Sequence, residues 1–124
     1  MRAAGASRAD AERFGRLAEA WCRLVLRLKG YRVLAARERT PVGEIDIVVR
    51  RGGVVAIIEV KARRGDGAAG AAGAISPRQQ ARLARAAAAF LGRHGELAGL
   101  AVRFDVMLVR PWRWPEHISD AWRP

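Results

Sequence analysis

A mixed α/β fold is predicted, a central mixed β-sheet flanked by helices with its elements in the order α-β-β-β-α-β, and three features carry that prediction. Apolar residues recur at helical spacing over residues 9–29. Two successive apolar segments, Glu44–Arg50 and Val54–Ala62, read as strands buried on both faces. A second helix announces itself at Ser76, and one more apolar strand follows it.

From Ala9 to Lys29, the residues Phe14, Leu17, Ala18, Trp21, Val25 and Leu28 define an amphipathic helix with one buried face. Gly30 stands just past its last turn, where helices commonly stop. Tyr31–Ala36 reads as a short strand, bounded by the charged run Arg37-Glu38-Arg39 and the turn Thr40-Pro41. Arg51-Gly52-Gly53 joins the next two strands, and a Gly-Gly pair suits a hairpin turn. Both strands are apolar at alternating and non-alternating positions alike, as expected where helices cover both sheet faces.

Residues 65–73 (GDGAAGAAG) are expected to form a flexible loop and lack the Lys-Ser/Thr of a phosphate-binding loop. Ser76 is a good N-cap, Pro77 fits the first helical position, and Gln79 completes an S-x-x-Q capping box. This helix runs through Leu83, Ala87, Phe90 and Leu91 to about His94, and Gly95 and Gly99 break it. Val102–Val109 is the last strong strand. The tail, with Trp112, Trp114, His117, Ile118 and Trp122, is expected to add a strand or short helix. Its tryptophans are expected to cover core; the alternative is that Trp112 and Trp114 stack on unpaired bases.

The chain has 124 residues, enough for a single domain over 1–124, with the first eight residues expected to be flexible. Those eight lead into a charged stretch rather than the apolar run of a secretory signal. No run approaches the length of a membrane-spanning helix. The single cysteine, Cys22, excludes an internal disulfide, and with only His94 and His117 beside it a structural zinc site is not expected. A reducing cytoplasm is the expected compartment. The formal net charge is +11, from 23 basic and 12 acidic residues, which favours a polyanionic partner and nucleic acid above all. Charge alone does not establish that partner. Alanine fills 25 positions and only Lys29 and Lys61 are lysines, a bias that GC-rich coding also produces.

Three charged residues stand where burial would penalise them. Asp46 lies within GEIDIVV, and Glu59 and Lys61 lie within VVAIIEVKA. Strand alternation puts Glu59 and Lys61 on one face, roughly 7 Å apart, and hairpin pairing would bring Asp46 beside Glu59. Close carboxylates repel unless a proton or cation sits between them, and oxygen ligands suit a hard ion such as Mg²⁺. Lys61 offers a compact ammonium able to orient a water or stabilise charge on a phosphate. The alternative is structural: Glu59 and Lys61 as a same-face ion pair on an edge strand, with Asp46 bonded to a nearby arginine. Glu44 shares the face of Asp46. Arg78, Arg82 and Arg85 share one side of the second helix, as a phosphate-contacting stripe or a solvated face. Arg103 and Asp105 are expected to point outward and to pair across the sheet. Cys22 reads as packing, and both histidines as structural or exposed.

G-E-I-D-I-V followed by I-E-V-K-A-R-R resembles the bipartite D…E-x-K motif of restriction-endonuclease-like nucleases, the PD-(D/E)XK superfamily. More closely, the chain is similar to the bacterial YraN-like family, related to archaeal Holliday junction resolvases. The likeness spans Gly15 and Glu19, Gly30-Tyr31, Gly43 to Asp46, Glu59-Val60-Lys61, the Ser76-to-Leu91 helix and Arg103 to Val106. It implies a restriction-endonuclease-like fold and a Mg²⁺-dependent endonuclease acting on DNA, with Mn²⁺ as substitute. Branched or junction DNA would be the substrate and a homodimer the assembly. Asp46 and Glu59 would hold the metal, Glu19 would add a third acidic ligand, and Lys61 would position or activate water. Arg63, Arg64, Arg78 and Arg82 would contact DNA phosphates. A family lysine is often found where this chain has Gln79, which removes one phosphate-contacting cation that Arg78 and Arg82 are placed to replace. The alternative is a nucleic-acid-binding protein that keeps this fold without cleaving.

Overall fold

Helix α1 (Arg8–Leu28) ends where Gly30 adopts a φ of 92° and the Tyr31 N–H returns to the Leu26 carbonyl at 3.0 Å. The chain then builds β1 (Arg32–Thr40), β2 (Gly43–Arg51) and β3 (Val54–Ala62), crosses through α2 (Pro77–Gly92), and finishes with β4 (Ala101–Val109) and β5 (Glu116–Trp122). The computed structural model describes residues 8–63 and 75–124. The predicted flexible stretches fall at 1–8 and 65–73. All but Arg8, which opens α1, lie outside the described residues.

The five strands form one mixed sheet in the order β1-β2-β3-β4-β5. β1, β2 and β3 are antiparallel neighbours, β3 and β4 are parallel, and β5 returns antiparallel to β4. The tail therefore resolves as a fifth strand. The helices cover opposite faces: Ala18, Cys22 and Leu26 of α1 pack on Ile47, Val49, Ala56, Ile58 and Met107, whereas Ala86, Ala87 and Phe90 of α2 pack on Val48, Val55 and Ile57. Two-sided burial is why β2 and β3 read as near-continuous apolar runs. Among the described residues no helix is long and apolar enough to cross a membrane.

Two expectations need correction. β1 runs through the charged segment to Thr40, because β2 offers it partners as far as Thr40↔Gly43; the tertiary ladder overrides the low strand preference of Arg-Glu-Arg. The buried face of α1 is also rotated from the predicted one. Ala18, Cys22 and Leu26 are buried while Leu17, Trp21, Leu24 and Leu28 are exposed. α1 carries two apolar stripes, and the sheet takes the one containing small residues, which allows close approach.

Candidate active site

The β2–β3 ladder runs from Arg51↔Val54 to Ile47↔Ile58 and stops. One residue further along, the side chain of Asp46 replaces a strand neighbour: its Oδ2 accepts the Val60 backbone N–H at 2.8 Å. The two strands part here, and Asp46 lies in the gap beside Glu59. On the opposite side of β2, Arg37 sits between the pairs Ala36↔Ile47 and Glu38↔Ile45 with a φ of 52°.

Burial drives the Asp46 carboxyl up, the charge of Glu59 adds to it, and the Val60 N–H opposes both, leaving the group raised to about 7. A side-chain hydrogen bond between the Asp46 and Glu59 carboxyls contributes in the same direction. The repulsion between the two carboxylates favours a proton on Asp46, and a cation between them would relieve it equally.

Glu59 and Lys61 project from β3 toward α2, as strand alternation requires. The Lys61 ammonium is 3.4 Å from Glu59 Oε2, with both side chains largely buried. Gln79 joins the pair: its Nε2 donates to Glu59 Oε2 at 2.9 Å, and its Oε1 accepts from Lys61 Nζ at 3.4 Å. Ser76 caps α2 as expected, accepting the Gln79 backbone N–H at 3.2 Å. The Gln79 side chain, however, faces the acidic pair. Sequence reasoning gave it to the capping box, because only tertiary packing reveals that the first turn of α2 stands over the end of β3.

Glu19 comes from α1 and adds negative charge near Asp46. Its Oε1 accepts from Arg37 Nε at 2.7 Å, so its partner lies on β1 and is not Arg23, the arginine one helical turn along α1. Cys22, buried between these acids, is pushed up to about 12 by burial and then by the charges of Asp46 and Glu19, so it is no nucleophile near neutral pH. Among the described residues, no group of three or more His, Cys, Asp or Glu side chains is arranged to hold a metal ion. The donor set of Asp46 and Glu59 nevertheless fits one hard divalent ion. Each carboxylate has one oxygen fixed by a protein donor, and a cation would relieve the repulsion that raises Asp46.

Arg63 is exposed just beyond β3, Arg78 and Arg82 are exposed on α2 along with Arg85, and Arg64 lies outside the described residues. Arg82 lies against Gly43, where an added Cβ would stand 3.2 Å from Arg82 Cγ, so glycine at the start of β2 leaves the arginine its place. Glu44 is exposed and 3.9 Å from Arg39, outside the acidic cluster.

A second polar network occupies the α1 side of β4. Asp105 is fully buried, contrary to the expected outward orientation, and accepts two bonds of 2.9 Å from its own-strand neighbour Arg103. It also accepts from His117 Nε2 at 2.8 Å and from the Asp120 N–H at 2.9 Å. Lys29 Nζ meets the other His117 ring nitrogen, and Arg103 donates to the Tyr31 hydroxyl at 2.7 Å. Burial works against the Asp105 charge, yet the His117, Arg103 and Asp120 donors hold the carboxyl below the usual range. His94 is also structural, stacked on Phe90 with ring centroids 4.1 Å apart. Trp122 packs on Phe104 at 4.3 Å between centroids, but Trp112 and Trp114 are exposed and do not cover core.

A family model described as Uncharacterised protein family UPF0102 matches residues 18–109, a span that contains the whole acidic cluster. A UPF0102 protein of Parvibaculum lavamentivorans is 60% identical over 114 residues, covering 92% of this chain and 84% of the relative. One from Paramagnetospirillum magneticum is 49% identical and covers 99% and 98% of the two chains. One from Sinorhizobium medicae is 48% identical with 86% of each covered.

Proposed function

The chain belongs to the UPF0102 family, and for this member we propose a Mg²⁺-dependent endonuclease that hydrolyses DNA phosphodiester bonds, branched DNA being the favoured substrate. The observation that carries the reading is the placement of the Asp46 and Glu59 carboxyls together at the point where β2 and β3 separate, with the Lys61 ammonium 3.4 Å from Glu59. The resemblance of G-E-I-D…E-V-K to the D…E-x-K motif of restriction-endonuclease-like nucleases supports it.

In this reading Asp46 and Glu59 hold the metal, Mg²⁺ or Mn²⁺ in its place; when bound, it stabilises negative charge on the phosphate oxygens. Arg63, Arg78 and Arg82 draw the phosphate backbone to the gap. Lys61 orients the attacking water and stabilises charge on the phosphate, while Gln79 keeps the ammonium and Glu59 in fixed relation. The water oxygen bonds to phosphorus as one of its protons passes to solvent, the bond to the departing sugar oxygen breaks, and that oxygen is protonated from solvent.

A second reading is a DNA-binding protein that retains the cluster without cleaving. The engagement of Glu19 by Arg37 favours it, since a third carboxylate is thereby occupied. Incubation with duplex, single-stranded, flapped and four-way DNA, with and without Mg²⁺ or Mn²⁺, separates the two. Metal-dependent cleavage that disappears in Asp46→Asn supports the endonuclease. Salt-sensitive binding with no cleavage of any substrate gives the second reading. Absence of DNA binding overturns both.

A further inference from the structure

The loop from β4 to β5 and the outer face of α1 enclose a groove of about 640 Å³, lined by Leu17, Trp21, Trp112, Trp114 and the arginines Arg110 and Arg113. Trp112 is fully exposed and held at a φ of 66°, a backbone region that non-glycine residues rarely adopt. Trp114 is two-thirds exposed and stacks on Trp21, with ring centroids 5.2 Å apart and planes 22° from parallel. Three indoles at a basic rim, two of them displayed to solvent, are an unfavourable way to end a strand unless something apolar and flat covers them.

Position and charge indicate what covers them. β4 leaves the sheet at the same end as the acidic gap: Leu108 pairs with Lys61, Val109 with Ala62, and the Arg63 N–H donates to the Val109 carbonyl at 2.8 Å. On α1, Ala18 lines the groove and the next residue, Glu19, belongs to the acidic cluster. The groove thus begins where the candidate active site ends. Its α1 wall, Phe14, Leu17 and Trp21, continues along the helix as the exposed stripe of Leu24 and Leu28, and that stripe is flanked on one side by Arg16 and Arg27, both exposed. A second copy laid on this wall would bring arginine toward arginine, whereas a polyanion would neutralise them. Arg110 adds a guanidinium whose Nη2 meets Glu116 at 3.2 Å and whose buried Nε has no hydrogen-bond partner among the described residues.

We propose that Trp112 and Trp114, backed by Trp21 and flanked by Arg110 and Arg113, form a stacking subsite for an unpaired nucleobase in a single-stranded stretch beside the cleavage gap. The inference rests on the nucleic-acid reading above and adds the substrate feature that the groove selects. Indoles accept any base through its π-face, and arginines track the adjoining phosphates, so the subsite senses strandedness rather than sequence.

Fluorescence titration with an oligothymidylate of about a dozen nucleotides, run beside a blunt duplex, tests the subsite. The oligothymidylate is expected to quench tryptophan emission. Trp112→Ala should weaken its binding about tenfold, Trp112→Phe should retain most of the affinity, and duplex affinity should stay unchanged in both. Full exposure of Trp112 leaves the fold indifferent to these changes. Unaltered oligothymidylate affinity in Trp112→Ala, with duplex binding intact, overturns the subsite and leaves the proposed function standing. Loss of duplex and oligothymidylate binding in the wild type overturns the nucleic-acid reading and the subsite with it. Self-association that Trp112→Ala abolishes without loss of oligothymidylate affinity assigns the groove to a second copy and overturns the proposal.

Discussion

Asp46 Oδ2 holds the backbone N–H of Val60 at 2.8 Å, a side chain from β2 doing for β3 what a strand carbonyl does elsewhere in the ladder. The bond has two consequences. It satisfies a donor that would otherwise be orphaned where the strands part, and it fixes one face of a carboxylate while the other meets Glu59. The acidic pair is therefore built into the sheet, and its charge is coupled to folding.

Stability should fall with rising pH in the metal-free protein. Asp46 is raised to about 7 by burial and then by Glu59, whereas in the unfolded chain it titrates near the ordinary carboxylate value of about 4. The folded state then binds more protons than the unfolded state between these values, so the contribution present at low pH is lost as pH rises through 7. Between pH 5 and 8, urea denaturation should show wild type losing on the order of 2 kcal/mol relative to Asp46→Asn. Mg²⁺ should restore the wild type at pH 8 and leave Asp46→Asn unmoved. Parallel pH profiles for the two proteins would remove the repulsive pair.

Lys61→Ala should separate chemistry from structure. Gln79 still donates to Glu59 at 2.9 Å when the ammonium is gone, so truncation should cost only about 1 kcal/mol of stability. Cleavage should drop by roughly 10²-fold or more with DNA affinity nearly unchanged. Lys61→Arg keeps the charge but replaces the compact ammonium with a bulkier guanidinium and should not restore the rate. An arginine variant cutting as fast as wild type would end the assignment of Lys61.

Reversal of Arg78 and Arg82 to glutamate should weaken binding to all DNA sequences alike, because phosphate contacts carry no base information. Each lost contact should flatten the dependence of log affinity on log salt by about 0.9. Both side chains are exposed, so thermal stability should hardly change. A salt slope equal to that of wild type would place the phosphate contacts elsewhere.

Asp105→Ala should behave in the opposite way, as a fold mutation. It strands Arg103 and His117 around a buried hole and removes the acceptor of the Asp120 N–H. A loss of about 3–5 kcal/mol in chemical denaturation is expected. A variant with near-wild-type stability would mean that the network is not what anchors β5 to β4.

Much of this architecture is legible in the chain itself. The Gly52-Gly53 turn, the two-faced burial of β2 and β3, and the Ser76-Pro77 start of α2 are local signals, and short-range sterics and hydrogen bonding are sufficient to set them. The anomaly of Asp46, Glu59 and Lys61 within apolar strands is equally visible, because the cost of burying charge depends on the residue and its neighbours in sequence. What tertiary structure alone decided is which of several compatible partners each residue takes. α1 offers two apolar stripes, and the sheet selected Ala18-Cys22-Leu26, leaving Trp21 for Trp114. Glu19 had an arginine within its own helix and found Arg37; Gln79 had a capping box and found Glu59 and Lys61; Asp105 and Arg103 turned inward to meet His117 and Tyr31. Such choices are settled by distances between elements far apart in the chain. Periodicity states which residues share a face, and only the packed sheet states what that face meets.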